Sequence, residues 1–131
     1  MSTTASDRTE GPQIVVGYSS RPEGRAALRR ALIEASLRGA GLVVLHGVDD
    51  DLDELTADLQ TAGVPYVLKA PVEGSDAAED LIELADASGA AFIVIGLRRR
   101  SPVGKLLLGS NAQRVLLDAA CPVLAVKAEQ S

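Results

Sequence analysis

The chain has a single cysteine and a single histidine among its 131 residues. With Cys121 alone no intrachain disulfide can form, and Cys121 with His46 falls short of the nitrogen and sulfur ligands that a zinc centre needs. No apolar run approaches the roughly 20 residues that cross a membrane as a helix. The opening MSTTASDRTEGP lacks the apolar core of a secretory signal, so the expectation is a soluble, cytoplasmic protein. Positive charge is also in short supply: 13 Lys and Arg against 18 Asp and Glu leave a formal net charge of -5. That balance argues against a nucleic-acid partner, whose binding would rest on neutralising phosphates with a basic face. The usual catalytic signatures are missing too. There is no G-x-S-x-G elbow, no cysteine paired with a second histidine and no acid–base pair converging on one loop, so no catalytic residue is assigned. The acidic run Asp49, Asp50, Asp51, Asp53, Glu54 lacks the spacing of a calcium loop and reads as a solvated helix N-terminus, so no metal site is assigned either.

What the chain does have is a regular alternation of short apolar runs and amphipathic stretches. Residues 1–12 are rich in Ser, Thr and charge and read as a mobile tail, leaving 13–131 as one domain. A chain this long buries roughly two-thirds of the surface its unfolded form exposes. Residues 13–18 make a first strand, and Ser20 with Glu23 forms a capping-box signature for a helix whose apolar face is Ala27, Leu28, Ala31, Leu32 and Ala35. Gly39 is placed to end that helix in a left-handed cap. Residues 42–48 read as a second buried strand, with His46 a hydrogen-bonded core histidine inside it, followed by a helix carrying Leu52, Leu55 and Leu59. Gly63 and Pro65 precede a third strand at 66–69. Gly74, Ser75 and Asp76 then open a helix with the face Ala78, Leu81, Ile82 and Ala85, which Gly89 closes. A fourth strand at 91–95, ended by Gly96, a basic loop, a last helix with Ala112, Val115, Leu116 and Ala119, and a fifth strand at 122–126 complete the chain. Five strands alternating with helices predict an α/β fold, a parallel sheet with helices on both faces. Periodicity leaves the strand order open.

The segment from the fourth strand to the last helix draws the chemistry together. A strand, a loop holding Arg98, Arg99, Arg100 and Lys105, then Gly109 and Ser110 at a helix start, is an arrangement whose free backbone N–H groups attract an anion. Each part also has a plain explanation. Ser110 and Gln113 make a second capping box, and the arginines fit a solvated charge cluster. At an anion site the same guanidinium groups can grip phosphate oxygens bidentately, or a bulky side chain can fill the space the phosphates need. The segment is not a P-loop, because Arg99 and Leu106 stand where glycine and a hydroxyl are required.

It does resemble the universal stress protein (UspA-like) family, whose nucleotide-binding members carry G-x2-G-x9-G-[ST] after the fourth strand. Gly96, Gly109 and Ser110 match, and Arg99 replaces the second glycine. The end of the first strand is similar to the family's V-x-x-D-x-S segment, with Ser19 in place of the aspartate, and Gly47 stands where an apolar residue packs on the base. The resemblance implies a doubly wound, Rossmann-like five-stranded sheet of order 3-2-1-4-5 and a crevice between strands one and four. It also implies an adenine nucleotide there: ATP, with or without Mg, or AMP or a cyclic nucleotide. The implied site is Gly17, Tyr18, Ser19, Gly47, Ile95, Gly96, Arg99, Arg100, Gly109, Ser110 and Asn111, with Gly96, Gly109, Ser110 and Asn111 on the phosphates and ribose and an arginine assisting. Further implications are nucleotide-dependent regulation in a stress response with at most slow hydrolysis, and a homodimer formed through the strand at 122–126. The alternative is a nucleotide-free dimeric interaction module of the same fold, which the residues at 19, 47 and 99 favour.

Overall fold

The computed structural model describes residues 11–98 and 109–128. The expectations for residues 1–10 and for Arg99, Arg100 and Lys105 lie outside the described residues. The elements are β1 (Gln13–Gly17), α1 (Pro22–Arg38), β2 (Gly41–Leu45), α2 (Leu52–Ala62), β3 (Tyr66–Lys69), α3 (Ala77–Ser88), β4 (Phe92–Leu97), α4 (Ser110–Asp118) and β5 (Val123–Lys127). Gly39, Gly63 and Gly89 each end a helix in the left-handed region, at φ 63°, 71° and 61°, where a residue with a Cβ is strained. Pro12 is already joined to the sheet, its carbonyl accepting from the Gly41 amide at 3.0 Å.

All strand pairs are parallel and the order is β3-β2-β1-β4-β5. The chain steps outward from β1 through β2 to β3, then returns to the other side of β1 for β4 and β5. Parallel crossovers are right-handed, so reversing the direction of travel moves the helices to the opposite face. The side-chain alternation of the strands feeds both layers. Ile14 and Val16 of β1 pack with Ala27, Leu28 and Ala31 of α1 and with Leu55 and Leu59 of α2. Val15, with Ile93 and Ile95 of β4, packs under Ala78, Leu81 and Ala85 of α3 and Val115 of α4. This double covering explains why the strands read as unbroken apolar runs.

Several strand ends differ from expectation, most by one residue. The second strand stops at Leu45 rather than 48, because the chain turns at Gly47 to let the Asp50 carboxylate bond its amide. The fourth strand continues through Gly96 to Leu97, where its ladder with β5 runs on as Gly96↔Val126 and Leu97↔Lys127. The fifth lies one residue later than 122–126.

Candidate functional site

The sheet opens at its centre. β1 and β4 are paired only at Ile14↔Phe92, Val15↔Ile93 and Val16↔Val94; beyond that β1 follows β2 while β4 follows β5. The gap lies at the carboxyl ends of the strands where the strand order reverses, the position at which doubly wound sheets take ligands. It holds a cleft of about 640 Å³, floored by the apolar Leu45, Leu81, Ile95 and Val115 and lined by Gly17, Tyr18, Ser19, Gly47, Gly96 and Asn111. A second cavity of about 390 Å³ adjoins it and shares Arg21, Glu23, Gly96, Asn111 and Ala112; Gly109 and Ser110 line this one, beside Arg98. The structure thus gathers every residue of the implied site that lies among the described ones.

Two helix N-termini line the second cavity, and neither has a side-chain cap. At α4 the cap position is Gly109, in extended conformation, and Ser110 is already the first helical residue. The Gln113 amide donates to the Gly109 carbonyl at 3.0 Å, leaving the amides of Ser110, Asn111 and Ala112 without a partner among the described residues. The expected Ser110–Gln113 capping box therefore does not form, because the serine sits one position too far into the helix to reach back. The Ser20–Glu23 box fails for a similar reason. Pro22 takes the first helical position, which suits its fixed φ and missing N–H, and so moves the cap to Arg21. Ser20 is occupied elsewhere: its amide donates to Asp50 Oδ1 at 3.1 Å and its carbonyl accepts from Arg25 Nε at 2.9 Å.

Glycines at 24 and 96 have a close-packing role that local sequence does not reveal. A Cβ on Gly96 would land inside the van der Waals shell of the Glu23 carbonyl, and one on Gly24 would collide with the backbone and hydroxyl of Ser19. Gly96 was read as a strand end that admits a ligand. The structure sets it inside β4, where it lines both cavities and its missing side chain admits the first turn of α1.

The β2–α2 loop supplies the opposite wall. Asp50 Oδ2 accepts from the Gly47 amide at 2.7 Å while Oδ1 takes Ser20, so one carboxylate ties the first loop to the second. His46 is half-buried at the strand exit, lining the cleft rather than the core, with its Nδ1 3.0 Å from the Gly47 carbonyl. Val48, 81 % exposed, stands on the rim. On the third side Asp80, only 6 % exposed, accepts from Ser75 Oγ at 2.6 Å and the Val72 amide at 3.2 Å, which fixes the turn before α3. Asp50 and Asp80 were not singled out from the sequence: the first was hidden in an acidic run, and the second sits one residue off the apolar face of α3. Among the described residues, the charged side chains on the main cleft are Glu23, Asp49, Asp50 and Asp80 against Arg21. Arg98, at the second cavity, lies 3.8 Å from the Glu23 carboxylate. Burial holds the Tyr18 phenol above its ordinary pKa; the carboxylates of Glu54, Asp50 and Asp58 add to this and Arg25 opposes it. No group of three or more His, Cys, Asp or Glu able to hold a metal occurs among the described residues.

A five-stranded 3-2-1-4-5 sheet with a cleft at its switch point and a bare helix start beside it defines a doubly wound α/β domain. The family model described as the universal stress protein family matches residues 52–127. A universal stress protein of Mycolicibacterium smegmatis is 46% identical over 126 residues, covering 87% of this chain and 96% of the relative. The chain belongs to the universal stress protein family. Among solved structures, a universal stress protein from Archaeoglobus fulgidus is similar at 32% identity and TM-score 0.70, covering 88% of this chain and 98% of the other. One from Archaeoglobus fulgidus in complex with dAMP gives 26%, TM-score 0.67 and coverages of 92% and 100%. A universal stress protein in complex with cAMP gives 26%, TM-score 0.65 and coverages of 90% and 98%.

Proposed function

We propose that this chain is a regulatory module that binds an adenine nucleotide in the split between β1 and β4. The observation that carries the proposal is the bare start of α4: three amides without partners among the described residues, pointed to by the helix dipole, border a cavity that also holds Arg21 and Arg98. Phosphate oxygens fit that donor set, and the apolar floor of the main cleft suits a base. Solved relatives in complex with dAMP and cAMP support the same ligand class. Gly96, Gly109, Ser110 and Asn111 would hold the phosphates and ribose, with Gly17, Tyr18, Ser19, Gly47 and Ile95 around the nucleoside and Arg99 or Arg100 assisting. ATP with Mg, AMP and cyclic nucleotides are the ligands to compare. No residue is assigned to catalysis, and the output is a change in protein contacts in a cytoplasmic stress response. The half-buried edge strand β5 is the proposed homodimer surface.

Calorimetric titration of the purified protein with each nucleotide, with and without magnesium, tests the ligand, and mass spectrometry of molecules released on denaturation tests occupancy in the cell. Absence of saturable binding at millimolar nucleotide ends this proposal. A second function, a nucleotide-free dimeric interaction module, is favoured by the four carboxylates against one arginine that the described residues place on the main cleft. It predicts that same negative titration together with a dimer in sedimentation.

A further inference from the structure

Asp50 occupies an unusual place in the cleft. Each of its carboxylate oxygens accepts one backbone N–H, from Gly47 at 2.7 Å and Ser20 at 3.1 Å, and the group lies half-buried on the cleft wall. An ionised carboxylate offers about four acceptor positions, so two remain. The loop across from it has no comparable group to offer. The Ser19 hydroxyl accepts from the Arg21 amide at 3.3 Å and is wedged against Gly24, which commits it to the turn. Asp80 also borders the cleft, but it is nearly fully buried and both its oxygens serve the turn at 72–75. Asp50 is held rigidly by two loops and keeps acceptor capacity on a wall of the cleft. That combination lets a side chain discriminate between ligands, because its position does not have to be reorganised on binding.

We propose that Asp50 is a specificity-determining residue, accepting an N–H or O–H donor from the nucleoside part of the ligand. This rests on the nucleotide proposal above. A phosphate is excluded from that wall by charge and is drawn to the bare amides of α4, which leaves the nucleoside to face Asp50. The donors available there are an exocyclic amine of the base and the ribose hydroxyls. A keto oxygen in place of the amine would present an acceptor to an acceptor and be rejected.

The test is calorimetric titration of the wild type and Asp50→Asn with AMP, IMP and the 2′- and 3′-deoxy forms of AMP, with Asp49→Asn as control. Loss of a carboxylate near an anion-binding cleft should tighten nucleotide binding if only long-range charge matters, and D49N is expected to do that or nothing. D50N is expected to weaken AMP about tenfold or more, the scale of a hydrogen bond to a charged group. A collapse of the AMP over IMP preference in D50N identifies the amine as the donor, and a collapse of AMP over a deoxy form identifies the ribose. Equal or tighter AMP binding by D50N overturns the inference while leaving the nucleotide function standing. Weakening by the same factor for every ligand overturns it as well, since Asp50 would then only brace the loops. A wild type that binds none of them removes both. Should D50N fail to melt cooperatively, Asp50→Glu keeps the charge, displaces the oxygens by one methylene and is expected to lose the same preference.

Discussion

Four helices begin in two ways. α2 and α3 start under aspartates: Asp51 accepts from the amides of Asp53 and Glu54, and Asp76 from that of Glu79. α1 and α4 start with no side-chain cap, at Arg21 and Gly109. At the two capped ends an aspartate takes the amides of Asp53 and Glu54 or of Glu79. The two bare ends face the cavity beside the split in the sheet. At α1 and α4 no side chain takes a first-turn amide, and both ends border the cavity where a ligand could do so. The difference separates helices that serve the fold from helices that also serve a site.

The largest way to break this contrast is through the packing that brings α1 to the site. Gly96→Ala places a methyl against the Glu23 carbonyl, and the cost should reach about 3 kcal/mol in urea unfolding, the upper end for overpacking. Next comes conversion of a bare end into a capped one. Gly109 has φ -70° and open space around it, so Gly109→Asp is accommodated and its carboxylate bonds the amides a phosphate would use. Stability is expected to rise by about 0.3 kcal/mol while nucleotide affinity falls about tenfold, in thermal melts and calorimetry respectively. Removing a formed cap, Asp51→Ala or Asp76→Ala, should cost about 1 kcal/mol. Ser20→Ala and Ser110→Ala, which remove caps that sequence predicts but the helices do not use, should stay within about 0.5 kcal/mol.

The smallest effect is alkaline. The folded-state pKa of Tyr18 is raised, chiefly by burial, so between the unfolded value near 10 and the folded one the native state binds the proton that the unfolded state has released. Stability should be unaffected by this group below about pH 10 and fall as pH rises beyond it. Tyr18→Phe should flatten that slope.

Most of the framework was legible because it is local. Gly39 and Gly89 follow amphipathic faces, and each apolar run is a strand buried on both sides. The strand order came from resemblance, since periodicity carries no information about which strands are neighbours. What escaped was set by distant partners. Ser20 and Ser110 have the right neighbours for a capping box, yet Pro22 and the extended Gly109 shift each helix start by one residue. Gly96 reads as a terminator until the Glu23 carbonyl, 73 positions earlier in the chain (96 minus 23), is seen against it. Asp50 sits among acids that suggest only solvation, and its role depends on Ser20, reached from another crossover. Gly96, Gly109 and Ser110, which the motif points to, line the cavities; the carboxylates that shape the cleft had no motif to announce them.

The three-rung ladder between β1 and β4 is the shortest in the sheet. The seam with the fewest ladder rungs therefore runs through the middle of the sheet, directly beneath the cleft rather than at an outer margin. A bound molecule touching both banks of that seam would act as a rivet, so occupancy should show itself first as resistance to pulling the two halves of the sheet apart.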